Sequence, residues 1–112
     1  MIALARSLGD AGRTDESIDV FKDVLMVAPL RAEVHRDFGD RLMAAKRPRE
    51  ALVEYQAFLN MDPQDLAEAH YRLAQTYVAL DDKAKGREQL LYALEIAPHY
   101  REAQQLLLEV VR

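Results

Sequence analysis

The chain has 112 residues, 50% hydrophobic and 30% charged, a soluble balance with enough length to bury a core. It contains no cysteine, which excludes disulfides, thiolate nucleophiles and zinc–sulfur centres. Lys and Arg total 15 against 19 Asp and Glu, a net charge of −4, which argues against a general nucleic-acid binder or a polybasic membrane anchor.

No apolar run approaches the roughly 20 residues that span a bilayer. Residues 1–12 carry Arg6 and Asp10 and no apolar stretch of signal-peptide length. The expectation is a chain with no membrane contact, cytoplasmic by default.

Apolar residues recur at three- and four-residue steps, a helical period. In chain order, helices are expected near 1–10, 14–27, 32–44, 48–60, 67–80, 83–96 and 100–111. The first begins at Met1 without a cap, which suggests a fragment of a larger protein. Gly12 and Thr14 mark the start of the second, with Thr14 as N-cap. Pro48 suits the first turn of the fourth, where its missing N–H is not needed. Asp81 or Asp82 can cap the sixth. Pro29, Pro63 and Pro98 each stop the helix before them.

Those three prolines stand 34 and 35 residues apart, closing the phrases FKDVLMVAP, YQAFLNMDP and LLYALEIAP. The same shifts align the apolar sets Leu4/Phe38/Leu73 and Leu8/Leu42/Tyr77 in the first half of each unit. In the second half they align Phe21/Tyr55/Leu90, Val24/Phe58/Ala93, Leu25/Leu59/Leu94 and Val27/Met61/Ile96. Small residues also keep step, as Ala5/Gly39/Ala74 and Ser17/Ala51/Gly86. Small side chains at both positions let two helices of one unit approach closely. On this register Glu54 faces solvent. An internal repeat of this length reads as a stack of helix pairs.

With AHYRLAQTYVAL, EALVEYQAFLNMDP and AKGREQLLYALEIAP, the chain resembles the tetratricopeptide repeat family over essentially its whole length. The resemblance implies an all-α, right-handed α-solenoid of antiparallel helix pairs, about seven helices in one domain. The units fall at about 1–31, 32–66 and 67–100, with a terminal helix at 101–112. It also implies protein–protein interaction, not catalysis. The alternative is a non-catalytic appendage of a larger enzyme, such as a hydrolase or transferase, that serves recruitment or self-association. An RNA-binding helical repeat of similar unit length is disfavoured by the acidic pI. The chain departs from the family pattern at His35 and His70, where an aromatic is common. It departs again at Phe58, where a small residue is usual, and at one extra residue in 64–66.

No catalytic motif appears: no phosphate-binding glycine loop, no HExxH and no calcium loop. Ser17 belongs to the crossing set, and no histidine is placed to activate it. His35 and His70 are repeat-equivalent, on helices about 8–10 Å apart, too far to share a zinc ion bound at about 2.1 Å. Asp37 and Asp40 share a helical face beside Arg36, Arg41 and Arg72, and read as an ion-paired surface. No metal site, no cofactor and no catalytic residue are expected.

The resemblance implies a concave surface lined by the first helix of each unit. In this sequence those places hold Ile2, Ala3, Arg6 and Gly9, then Glu33, Arg36, Asp37, Asp40, Met43 and Ala44. The third unit supplies Glu68, Tyr71, Arg72, Gln75, Val78 and Ala79. The implied peptide site centres on Arg36, Asp40, Tyr71, Arg72 and Gln75. The family's carboxylate clamp for chaperone C-termini is not matched: its places hold Ile2, Arg6, Asp37, Glu68 and Arg72, and Asp37 and Glu68 repel an acidic ligand. In the last helix, Ala103, Leu107, Leu108 and Val111 are expected to pack on the third unit. That leaves Leu106 and Val110 outward for self-association, although scattered apolar surface residues are ordinary.

Overall fold

The computed structural model describes residues 14–27 and 31–112. They form six helices: α1 (Thr14–Val27), α2 (Ala32–Ala44), α3 (Pro48–Asn60), α4 (Leu66–Ala79), α5 (Lys83–Ile96) and α6 (Arg101–Val110). No strand occurs among the described residues. The expected helix at 1–10, Pro29, the capping side chain of Thr14 and groove residues Ile2, Ala3, Arg6 and Gly9 lie outside the described residues.

Helix boundaries follow local chemistry. Pro48 opens α3 in its first turn. Asp65 opens α4, its carboxylate accepting the Glu68 amide N–H at 2.9 Å. Asp82 does the same for α5, accepting from the Lys85 amide at 3.2 Å. Asp82 is therefore the cap, whereas Asp81 adopts the left-handed conformation at φ 61°. That residue belongs to a turn made twice. After α2, the Arg47 amide donates to the Leu42 carbonyl at 2.8 Å and the Lys46 amide to Met43 at 3.0 Å. After α4, Asp82 donates to Tyr77 at 2.9 Å and Asp81 to Val78 at 3.0 Å. Both are Schellman closures, with Lys46 (φ 60°) and Asp81 in the left-handed place.

These turns fold α2 back on α3 and α4 back on α5. Each helix packs on its neighbour in the chain, and α4 also meets α6. The extra residue after Pro63 is absorbed in the connection, where Asp62 is left-handed at φ 54° and α4 starts one residue earlier than expected.

Two apolar clusters run through the stack. One joins Ile18, Phe21, Val24, Val34, Phe38, Leu42, Ala51, Tyr55 and Leu73, with the Phe21 and Phe38 rings stacked at 5.7 Å. The other joins Ala74, Leu90, Ala93 and Ala103, covered by Tyr71, Leu94, Tyr100, Leu106, Leu107 and Val110. The small-residue sets sit at the crossings: Ser17, Ala51 and Ala74 are fully buried, as are Gly39 and Gly86.

The last helix corrects the expected packing. Ala103 and Leu107 do pack inward, but their companions are Leu106 and Val110. Leu108 and Val111 are 59% and 56% exposed. A 34-residue step places Leu108 on Ala74 and Val111 on Tyr77. Those positions face the second helix of their own unit, and no helix follows α6 among the described residues. Leu106 and Val110 are thus half-buried against the core and not the outward pair expected. Glu54 also departs from expectation. It is half-buried, and its carboxylate accepts a hydrogen bond from His35 Nδ1 at 2.8 Å.

Candidate peptide groove

Alternate helices α2, α4 and α6 present one strip of side chains, because equivalent residues of stacked repeats line up. The five residues singled out above sit on it, but in two different settings. Arg36, Asp40 and Arg72 belong to an electrostatic network that joins the second and third units. Tyr71 and Gln75 belong to an aromatic patch against the last helix.

The network begins in the core. The Tyr55 hydroxyl, carried by α3, donates to Asp40 on α2 at 2.6 Å. Arg72 on α4 donates to the same Asp40 oxygen through Nη1. Its Nε and Nη2 both donate to Glu68, at 2.9 and 2.6 Å. Arg36 donates to the buried Asp37 at 3.2 Å. Burial pushes the Asp40 carboxyl above its ordinary value, and the Tyr55 hydrogen bond and Arg72 pull it back. The Tyr55 phenol is held well above its ordinary range, by burial first and then by the Asp40 charge. For Arg72, burial lowers the pKa, but Asp40 and Glu68 outweigh it and the guanidinium is held above its ordinary value. Arg72 is thus a charged link, with each of its nitrogens engaged inside the chain.

Arg36 and Glu33 also border a recess of about 520 Å³, closed by Phe58, the 62–65 loop and Glu68. Four of its nine lining residues are acidic, against one arginine.

The aromatic patch is differently made. Tyr71 and Tyr100 face each other with ring centroids 5.1 Å apart and planes tilted by 46°. Gln75 donates to the Tyr71 hydroxyl oxygen at 3.2 Å. Burial, then the charges of Glu102 and Glu109, raise the Tyr71 phenol. Burial, then Glu68, push Tyr100 up to about 12. Tyr100, Glu102 and Glu109 were not among the candidates read from the sequence. The 34-residue step that carries Glu68 to Glu102 and Gln75 to Glu109 holds that signal; Tyr100 lies in the turn before α6 and carries none.

The repeat-equivalent histidines do equivalent work. His35 donates to Glu54 at 2.8 Å and His70 to Gln89 at 2.7 Å, each tying the first helix of a unit to its second. Among the described residues no group of three His, Cys, Asp or Glu side chains is placed to hold a metal ion. Likewise, no described helix is long and apolar enough to cross a membrane.

Residues 67–100 match the tetratricopeptide repeat family. The chain has the tetratricopeptide-repeat fold. No curated protein matches it by sequence, but solved structures do by shape. MamA from Desulfovibrio magneticus RS-1 superposes with a TM-score of 0.89 at 25% identity, covering 97% of this chain and 61% of that one. The first tetratricopeptide domain of Spaghetti (RPAP3), bound to the HSP90 peptide SRMEEVD, gives 0.88 at 16% identity, covering 97% and 86%. The Yersinia enterocolitica type III secretion chaperone SycD, in complex with a peptide of the translocator YopD, gives 0.80 at 17%, covering 98% and 83%. The chain therefore spans under two thirds of MamA. The repeat architecture fits about three tetratricopeptide units and a terminal helix, and the six described helices account for all but the expected first one.

Proposed function

We propose that this chain is a non-catalytic protein-interaction module whose α2–α4–α6 strip receives a peptide or protein segment. The supporting observation is the half-exposed Tyr71–Tyr100 pair with exposed Gln75 beside it. Aromatic side chains with a polar tip give large contact area at small entropic loss, and they are enriched at binding hot spots. Two neighbours of the same fold hold peptides, which makes a bound segment the natural occupant of this strip. Arg36, Asp40 and Arg72 serve differently in this reading. The Asp40–Arg72 pair fixes the spacing of α2 and α4, and Arg36 adds to the strip's polar wall.

A random peptide library selected on the immobilised chain tests the reading. Selected peptides should lose most of their binding to a Tyr71→Ala, Gln75→Ala variant whose helicity by circular dichroism is unchanged. Equal binding to both forms sinks it.

A further inference from the structure

We propose that the groove's ligand carries a lysine or arginine side chain, received at the Tyr71–Tyr100 pair between Glu102 and Glu109. This inference rests on the groove reading above and names the chemistry of the occupant.

The argument is one of charges already matched and charges left over. Among the described residues both arginines of the strip are engaged, Arg36 with Asp37 and Arg72 with Asp40 and Glu68. An incoming carboxylate at Arg72 would have to displace one of its partners, and at either arginine it would stand beside Asp37, Asp40 or Glu68. The acidic peptide held by the Spaghetti domain would meet this like-charge wall.

Glu102 and Glu109 are exposed, and among the described residues neither has an ion-pair partner. They lie seven residues apart on one face of α6, about 10 Å along the axis. Tyr100 leads directly into α6 and its ring meets that of Tyr71, so α6 carries both carboxylates at the same end of the strip as the pair, and their charges help to raise the Tyr71 phenol. The two tyrosine rings offer a π face, which attracts a cation within about 6 Å of its centroid. Gln75 adds an amide carbonyl as an acceptor. Two carboxylates, an aromatic pair and an acceptor on one exposed patch complement an ammonium or guanidinium group and repel an acidic one.

Three labelled ten-residue probes test this, alternating leucine with lysine, with glutamate or with serine. Each is titrated into the full 15N-labelled chain, with affinity from fluorescence anisotropy. The lysine probe should bind tightest and shift amides around Tyr71, Tyr100 and Glu109. A Glu102→Lys, Glu109→Lys variant should weaken it by about tenfold or more. A control variant, Glu88→Lys with Glu95→Lys on exposed sites of α5, changes net charge equally and should alter affinity by less than about twofold. Equal weakening in both variants means that only net charge is felt, and overturns the inference. A glutamate or serine probe that shifts the same amides at least as tightly overturns the cation preference while leaving the groove reading intact. If no probe moves amides of α2, α4 or α6, both readings fall.

Discussion

The α2/α3 and α4/α5 pairs make the same crossing with the bulk redistributed. In the first pair Gly39 abuts the ring of Tyr55, and a Cβ at that glycine would lie 2.5 Å from Tyr55 Cε1. In the second pair Ala74 takes the place of Gly39, Leu90 that of Tyr55, and the glycine moves to the other helix as Gly86. A Cβ on Gly86 would meet Val78 Cγ2 at 3.0 Å and the Ala74 carbonyl oxygen at 3.4 Å. The exchange has a consequence at the surface. Only the tyrosine carries a hydroxyl, and the room left by Gly39 lets it reach Asp40 and through it Arg72. At the place equivalent to Asp40 the third unit has Gln75, which turns to Tyr71 instead. One crossing feeds a rigid charged link; the other leaves Tyr71 and Gln75 outside it.

The largest expected effect comes from closing the gap at the first crossing. Gly39→Ala should destabilise the chain by up to about 2 kcal/mol. Overpacking against a ring tethered at its hydroxyl costs about 1–3 kcal/mol, and the better helix propensity of alanine returns about 1 kcal/mol of that. Gly86→Ala should stay within about 0.5 kcal/mol of the parent, because a half-buried valine methyl can give way and the same propensity gain applies. Adding Tyr55→Leu to Gly39→Ala rebuilds the second crossing inside the first. The double variant should be more stable than the sum of its singles by about 1 kcal/mol or more. Urea denaturation of the five proteins (the parent, the three single variants and the double) decides it. If Gly39→Ala is as mild as Gly86→Ala, the two crossings are not different in kind.

Most of this architecture is legible in the sequence because packing repeats at a fixed step. Ser17, Ala51 and Gly86, or Phe38 and Leu73, announce their burial by recurring at the same place. Four of the six described helices begin and end where periodicity, Pro48 and the repeat-ending prolines put them. The strip residues of α2 and α4 follow from the family resemblance that this step supports. What it does not carry is the pairing across units. Arg72 and Asp40 are 32 residues apart, and nothing local indicates that the guanidinium is consumed by Asp40 and Glu68 in place of facing outward. Glu54 reads as solvent-facing from its own helix, and only the His35 ring opposite explains its burial. The last helix is least legible because, among the described residues, no second helix packs on it as one does on the other first helices. Leu108 and Val111 have the family positions of core residues yet are exposed, while Leu106 and Val110 take the contact.

A smaller effect isolates the charged link. Tyr55→Phe keeps the ring against Gly39 and removes only the donor to Asp40. The loss should be about 1–1.5 kcal/mol at neutral pH, that of a hydrogen bond to a partly screened charge. Its pH dependence separates it from a packing defect. The folded Tyr55 phenol titrates above the unfolded value of about 10. Its contribution is therefore complete below that pH and is lost as pH rises beyond it, since the unfolded chain releases the proton first. The gap between parent and Tyr55→Phe should narrow above pH 10. A constant gap from pH 7 to pH 11 would mean that the hydroxyl's bond to Asp40 is not what the variant removed.

The smallest effect compares the turns that close α2 and α4. They share the same hydrogen bonds, yet Lys46 holds the left-handed place in one and Asp81 in the other. A side chain with a Cβ is disfavoured there by roughly 1–2 kcal/mol, and aspartate less so because its short polar group can bond locally. Glycine removes the penalty but gains entropy in the unfolded chain, which takes back part of the benefit. Lys46→Gly should therefore stabilise by about 0.5 kcal/mol, and Asp81→Gly by less. Lys46 and Asp81 are both exposed, so neither change disturbs packing. Thermal melts of the two variants measure the difference directly. A larger gain at Asp81 than at Lys46 would show that the two turns, alike in hydrogen bonding, are not alike in strain.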